Sequence, residues 1–105
     1  MTKKEKYEKR WEVFRKIWKT RKHISQLSGK PIYGELKSFY MDHLLERSTY
    51  PALEFTEWNI IIVTQEEHSR KTRGFPGKEQ ETDKKYKELI QKAKERYEKE
   101  TYSQT

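Results

Sequence analysis

Tyr7, Trp11, Phe14 and Trp18 recur at intervals of four, three and four. That spacing marks one face of an amphipathic helix, predicted over about residues 4–20, with Lys and Arg on the other faces. A ring stripe of this kind packs on a core rather than serving as a stacking platform for bases. Near the other end, Tyr86, Leu89, Ile90, Ala93 and Tyr97 mark the apolar face of a second long helix, over about 79–99. The final "TYSQT" is expected to fray.

The middle of the chain has a different pattern. "LSGKPIYGE" has two Gly, a Pro and no period, and reads as a turn-rich loop. "ELKSFYMDHLL" reads as a strand with bulky residues at Leu36, Phe39, Tyr40 and Leu44. "ERSTYPALEFTE" is a long connection around Pro51, and the β-branched "WNIIIV" is a second strand. Thr64 with Glu67 three residues on is a capping-box pattern, so a helix carrying His68 should start there. "RGFPGKEQ" ends that helix with Gly74, Pro76 and Gly77. Two strands cannot stabilise themselves, so the flanking helices must close the core. The expected class is α+β with more helix than sheet, and no internal repeat is visible.

A chain of 105 residues implies one domain. With 31% hydrophobic and 39% charged residues it supports one small core. Three Trp, seven Tyr and four Phe partly compensate, because each ring buries a large area. The absence of cysteine excludes disulfides and cysteine-held zinc. The longest apolar run, "IIIV", is far too short for a bilayer, and the charged N-terminus has no signal-peptide core. A soluble cytoplasmic protein without a membrane association is the expectation.

Net charge is +7, unevenly placed. Residues 1–30 carry eleven Lys and Arg against three Glu, and residues 70–105 carry eleven against seven acidic groups. Residues 31–69 carry two against seven. Basic flanks suit a polyanion. Carboxylates between them would oppose phosphate unless some hold a cation. Beyond Lys78 the basic residues read as solvated helix surface.

That acidic middle holds "SFYMDHLLERSTYPALEFTEWNIIIVTQEEHSRKT", with Asp42, His43, Asn59 and His68. Hydrolysing a phosphodiester needs a base for water, a cation to offset charge on the phosphate and leaving oxygen, and in-line attack. Imidazole suits the first task, and Asp with His suits the second. Neighbours on a strand point in opposite directions. Asp42 can therefore reach a metal on one side of a phosphorus while His43 reaches water on the other. Asn59 could hydrogen-bond across to fix the His43 ring, and His68 would complete the metal site with Asp42. Arg70, Lys71 and Arg73 could hold flanking phosphates.

"DH" on a first strand, Asn at the head of a second and His in the next helix resemble the HNH endonucleases, with their ββα-metal (His-Me finger) fold. The spacing of sixteen and nine residues, inside a strand–loop–strand–helix order, carries the resemblance. It covers about residues 25–74 and looks like small HNH proteins of phages and their hosts. It implies His43 as general base, Asn59 as the residue positioning it, and Asp42 and His68 as metal ligands. Thr72 falls where some relatives carry a further ligand, but Thr is a poor one and is not assigned. Many family members staple this unit with two Cys-x-x-Cys pairs around zinc. The matching regions here are "HISQLSG" and "TQEEH", so packing by Trp58, Phe39, Tyr40 and the helix stripes is expected to take that place.

The function so expected is metal-dependent DNA cleavage, one strand per site, with Mg²⁺ or Mn²⁺ favoured and Zn²⁺ or Ni²⁺ permitted by the imidazole ligand. One alternative is a non-catalytic basic nucleic-acid binder. Another is an accessory protein in a larger phage or host DNA-packaging or recombination complex. His23, in "TRKHIS", touches a phosphate at most. Glu46 and Glu54 read as solvated loop carboxylates, and "LSGK" as a turn rather than a nucleotide loop.

Overall fold

Thr2 and Thr64 each start a helix in the same way. The Thr2 hydroxyl accepts from Glu5 N at 3.1 Å while the Glu5 carboxylate accepts from Thr2 N at 3.2 Å. Thr64 and Glu67 repeat the reciprocal pair at 3.1 and 2.9 Å. Each box satisfies backbone donors that a helix start leaves without intrahelical partners. The computed structural model describes residues 1–102. Its principal elements are α1 (Lys3–Thr20), β1 (Met41–His43), β2 (Ile60–Ile62), α2 (Gln65–Thr72) and α3 (Glu81–Tyr102). The class is α+β, with one two-stranded antiparallel sheet. Of the expected frayed tail, Thr101 and Tyr102 close α3, and residues 103–105 lie outside the described residues.

The strands are much shorter than their sequence patterns. Ser38–Tyr40 and Glu57–Asn59 wind into 3-10 turns just before β1 and β2. The register is Met41 with Ile62, Asp42 with Ile61 and His43 with Ile60. Cross-strand partners share a face, so the hairpin has two. Met41, Ile60 and Ile62 pack with Phe14 and Ile17 of α1. Ile61, Val63 and Leu44 pack with Tyr86 and Ala93 of α3. The hairpin is thus a thin layer between two helices, which close its core on both sides.

The α1 stripe is rotated from the expected one. Phe14 and Ile17 are buried, Trp11 and Trp18 are half-buried, and Tyr7 is 57% exposed. Arg10, one turn before Phe14, takes the position Tyr7 was expected to hold and is half-buried. The α3 stripe is as expected: Tyr86 and Ala93 are buried, with Leu89, Ile90 and Tyr97 packed around them.

The segments "HISQLSG" and "TQEEH" meet through polar groups. Ser25 Oγ donates to Glu67 Oε1 at 2.5 Å and accepts from the Leu27 and Ser28 amides. Gln26 pairs with Ile62 through N–H to O and Oε1 to N–H, both at 2.8 Å. Burial works to raise the Glu67 pKa, but hydrogen bonds from Ser25, Ser28 and Thr64 outweigh it and hold the carboxyl below its ordinary value. The expectation that packing by Trp58, Phe39, Tyr40 and the helix stripes joins these segments is therefore corrected: polar bonds link them. Trp58 does pack on the α3-side core, with the Arg96 guanidinium 4.5 Å over its ring. Phe39 and Tyr40 lie elsewhere, in an aromatic row in which Tyr40 stacks on Trp18 at 5.9 Å.

α2 ends in a Schellman turn. Phe75 N–H bonds the Arg70 carbonyl and Gly74 N–H the Lys71 carbonyl, both at 2.9 Å, with Gly74 at φ 77°. This reversal carries the chain to α3, where Arg70 clamps Asp83 with two 2.8 Å bonds. That guanidinium holds the Asp83 carboxyl at about 2. Among the described residues no helix is long and apolar enough to cross a membrane.

Candidate functional site

Asp42 and His43 leave β1 on opposite faces, as alternation requires. Asp42 faces α2, and the His43 ring lies 6.3 Å from the Phe14 ring of α1. Among the described residues β1 pairs with β2 alone, so its other edge meets no strand. Along that edge opens a cleft of about 550 Å³. Asp42 and His43 line it together with Arg10 and Phe14 from α1, and His68 and Lys71 from α2. Side chains from both faces of one strand thus reach a single cleft.

The tautomer of His43 follows from its partner. Nε2 lies 2.8 Å from the Glu54 carbonyl oxygen, which can only accept, so Nε2 carries the proton. A neutral His43 therefore has its lone pair on Nδ1. Burial is the main force lowering the His43 pKa below its ordinary value. The Glu54 hydrogen bond and the Asp42 charge oppose that shift, while Arg47 and Lys71 reinforce it. The ring is accordingly neutral at physiological pH and able to accept a proton.

Asn59 does not bond the His43 ring, and that expectation is corrected. Its amide is fully buried, accepts from Leu45 N at 2.9 Å, and donates to the Leu45 carbonyl at 3.0 Å and the Leu53 carbonyl at 3.4 Å. These bonds pin both ends of the loop that follows β1. Glu54, whose carbonyl holds His43, is the next residue after Leu53. Asn59 thus braces the loop whose next residue, Glu54, bonds the His43 ring, and does not touch that ring itself.

Asp42 is buried and faces two groups of α2. Its Oδ1 lies 3.1 Å from His68 Nδ1, and its Oδ2 lies 2.8 Å from Lys71 Nζ. His68 Nδ1 is shielded from solvent, and among the described residues it has no hydrogen-bond partner although Asp42 Oδ1 is close. A buried ring nitrogen without a hydrogen bond, beside a carboxylate oxygen, is a donor pair that suits a divalent cation. Among the described residues no third His, Cys, Asp or Glu joins them. Thr72 Oγ1 is occupied in donating to the His68 carbonyl at 3.0 Å.

The basic residues are arranged differently from the sequence expectation. The Arg70 guanidinium is engaged by Asp83, and the Lys71 ammonium by Asp42 and the His43 carbonyl. Arg73 is exposed, with Nε donating to its own helix at Ser69 O. Two cations not singled out from the sequence line the cleft instead. Arg10 and Arg47 approach Glu54 Oε1 at 3.5 and 3.7 Å. Among the described residues the buried Arg10 Nε has no hydrogen-bond partner. Glu54, expected to be a solvated loop carboxylate, is buried between these cations, whereas Glu46 is exposed at the rim. The i, i+4, i+7 relation of Arg10, Phe14 and Ile17 was the available signal for Arg10. His23 is a packing residue, stacked on Trp18 at 3.7 Å and bonded to the Trp18 carbonyl.

Comparison with known proteins gives no match: no family model, no curated protein and no solved structure corresponds to this chain.

Proposed function

We propose that this protein is a metal-dependent endonuclease of the HNH type, hydrolysing phosphodiester bonds in DNA and nicking one strand per site. The observation that carries the reading is the single cleft shared by two chemically distinct groups. One is an imidazole whose lone pair is directed by its bond to Glu54. The other is the Asp42–His68 donor pair. The order β1, β2, α2 and the HNH resemblance of residues 25–74 support the same reading, with this segment as a ββα-metal unit.

In this reading His43 Nδ1 accepts a proton from the attacking water. Glu54, through its carbonyl, and Asn59, through the loop, keep the ring in position. Asp42 and His68 hold one divalent ion, Mg²⁺ or Mn²⁺ by preference, which when bound supplies Lewis-acid stabilisation of charge on the phosphate and departing oxygen. Arg10 and Arg47 take phosphates on the α1 side of the cleft, and the exposed Arg73 does so on the α2 side. Arg70 is left out of the phosphate set because Asp83 pairs with its Nε–Nη2 edge and the Lys78 carbonyl takes a further Nη2 bond.

Supercoiled plasmid incubated with Mg²⁺, Mn²⁺, Zn²⁺ or Ni²⁺, and with EDTA, tests the proposal. Metal-dependent conversion to the nicked form is the expected result. Binding without nicking under every ion would instead identify a non-catalytic nucleic-acid binder.

A further inference from the structure

Lys71 is a tethered cation inside the cleft. Its side chain is only 15% exposed. The ammonium touches Asp42 Oδ2, donates to the His43 carbonyl and lies 5.0 Å over the Tyr86 ring. The carbonyl contact has a clear backbone cause. Leu44 N–H bonds the Asn59 carbonyl on the β2 side. In a trans peptide the His43 carbonyl must then point the other way, toward the edge away from β2. Lys71 follows His68 by three residues on α2, so both side chains lie on one helix face and meet the same carboxylate.

The charges have a consequence for any metal held there. Asp42 and Lys71 cancel, and His68 is neutral when it offers a lone pair. The remaining charges lining the cleft are Arg10, Arg47 and Glu46, with Glu54 paired to both arginines. A divalent cation therefore meets no excess of negative charge, and an ammonium already stands on its only carboxylate ligand. A phosphodiester changes both terms: it brings the missing negative charge and gives Lys71 a second anionic partner.

Resting on the assignment of Asp42 and His68 as the metal-binding pair, we propose that Lys71 makes divalent-metal binding conditional on a phosphodiester in the cleft. Lys71 is a positioning residue in this scheme. It holds Asp42 oriented and neutralised when the cleft is empty, and turns toward phosphate when substrate and metal enter together. Linkage requires the converse as well: metal must tighten phosphodiester binding by the same factor.

The test is Mn²⁺ titration of the full chain, reading free Mn²⁺ by electron paramagnetic resonance. A His43→Ala background keeps added DNA uncut, and a short DNA duplex is the probe. Mn²⁺ should bind weakly alone and about tenfold or more tighter with duplex present. Lys71→Met should tighten Mn²⁺ binding without DNA and shrink the duplex effect. Equal Mn²⁺ affinity with and without duplex overturns the proposal while leaving the metal site intact. Unchanged affinity in Lys71→Met does the same. Absence of Mn²⁺ binding under every condition, with Asp42→Ala indistinguishable from its parent, overturns the metal assignment itself. Should Lys71→Met fail to fold, Lys71→Gln replaces it, and the duplex effect in the Lys71-containing background decides independently.

Discussion

The His43 Nε2–H donates to the Glu54 carbonyl at 2.8 Å, which assigns the ring's lone pair to Nδ1. Burial of this ring lowers its pKa below 6.5. The native state therefore binds fewer protons than the unfolded chain between that lowered value and 6.5, so stability declines as pH falls through this interval. In the proposed reaction the same protonation would remove the base. Cleavage measured against pH should lose activity on the acid side with an apparent pKa below 6.5. An acid limb centred well above 6.5 would remove His43 from the role of base.

Asn59 is a loop clamp, and its loss should show first in stability. Asn59→Ala deletes three buried hydrogen bonds and leaves the Leu45 amide and carbonyl without these partners. The expected cost is about 2–4 kcal/mol. Urea denaturation measures it, and a variant as stable as the parent contradicts the clamp.

The polar knot and the Trp58 packing make separable contributions. Glu67→Ala removes the capping box and the Ser25 bond, with an expected cost of about 1–2 kcal/mol. Trp58→Ala removes half-buried ring area from the α3-side core, with an expected cost of about 2 kcal/mol. Both should lower the melting temperature. An unchanged melting temperature for Glu67→Ala would return the whole stapling role to the aromatic residues.

Arg10 and Arg47 should behave as phosphate contacts. Alanine at either position should weaken DNA binding across sequences and reduce the slope of log affinity against log salt by about one. Fluorescence anisotropy over a salt series reads both. An unaltered slope would confine these arginines to supporting Glu54.

Much of the fold was legible because its signals are local. The helix stripes, the Thr64–Glu67 box and the Gly74 stop each lie within a few residues. The strands were overextended because Phe39 and Tyr40 are adjacent bulky residues, a pattern a strand and a 3-10 turn share. The Tyr40 N–H to Lys37 carbonyl bond selects the turn. The order Asp42, His43, Asn59, His68 was visible as a motif, but the partners of its members were not. Asn59 binds Leu45, Arg70 binds Asp83 and Lys71 binds Asp42 across long stretches of chain, through contacts that exist only after the hairpin is packed between its helices. Arg10 was hidden among eleven basic residues of the first thirty.

The central claim is that the His43 imidazole performs proton transfer in the cleft. The direct measurement is the nicking rate of His43→Ala on supercoiled plasmid with Mn²⁺, alongside its DNA affinity. The expected result is a rate reduced by a factor of about 10²–10⁴ with affinity within about threefold of the parent. A parental nicking rate in His43→Ala would contradict the account.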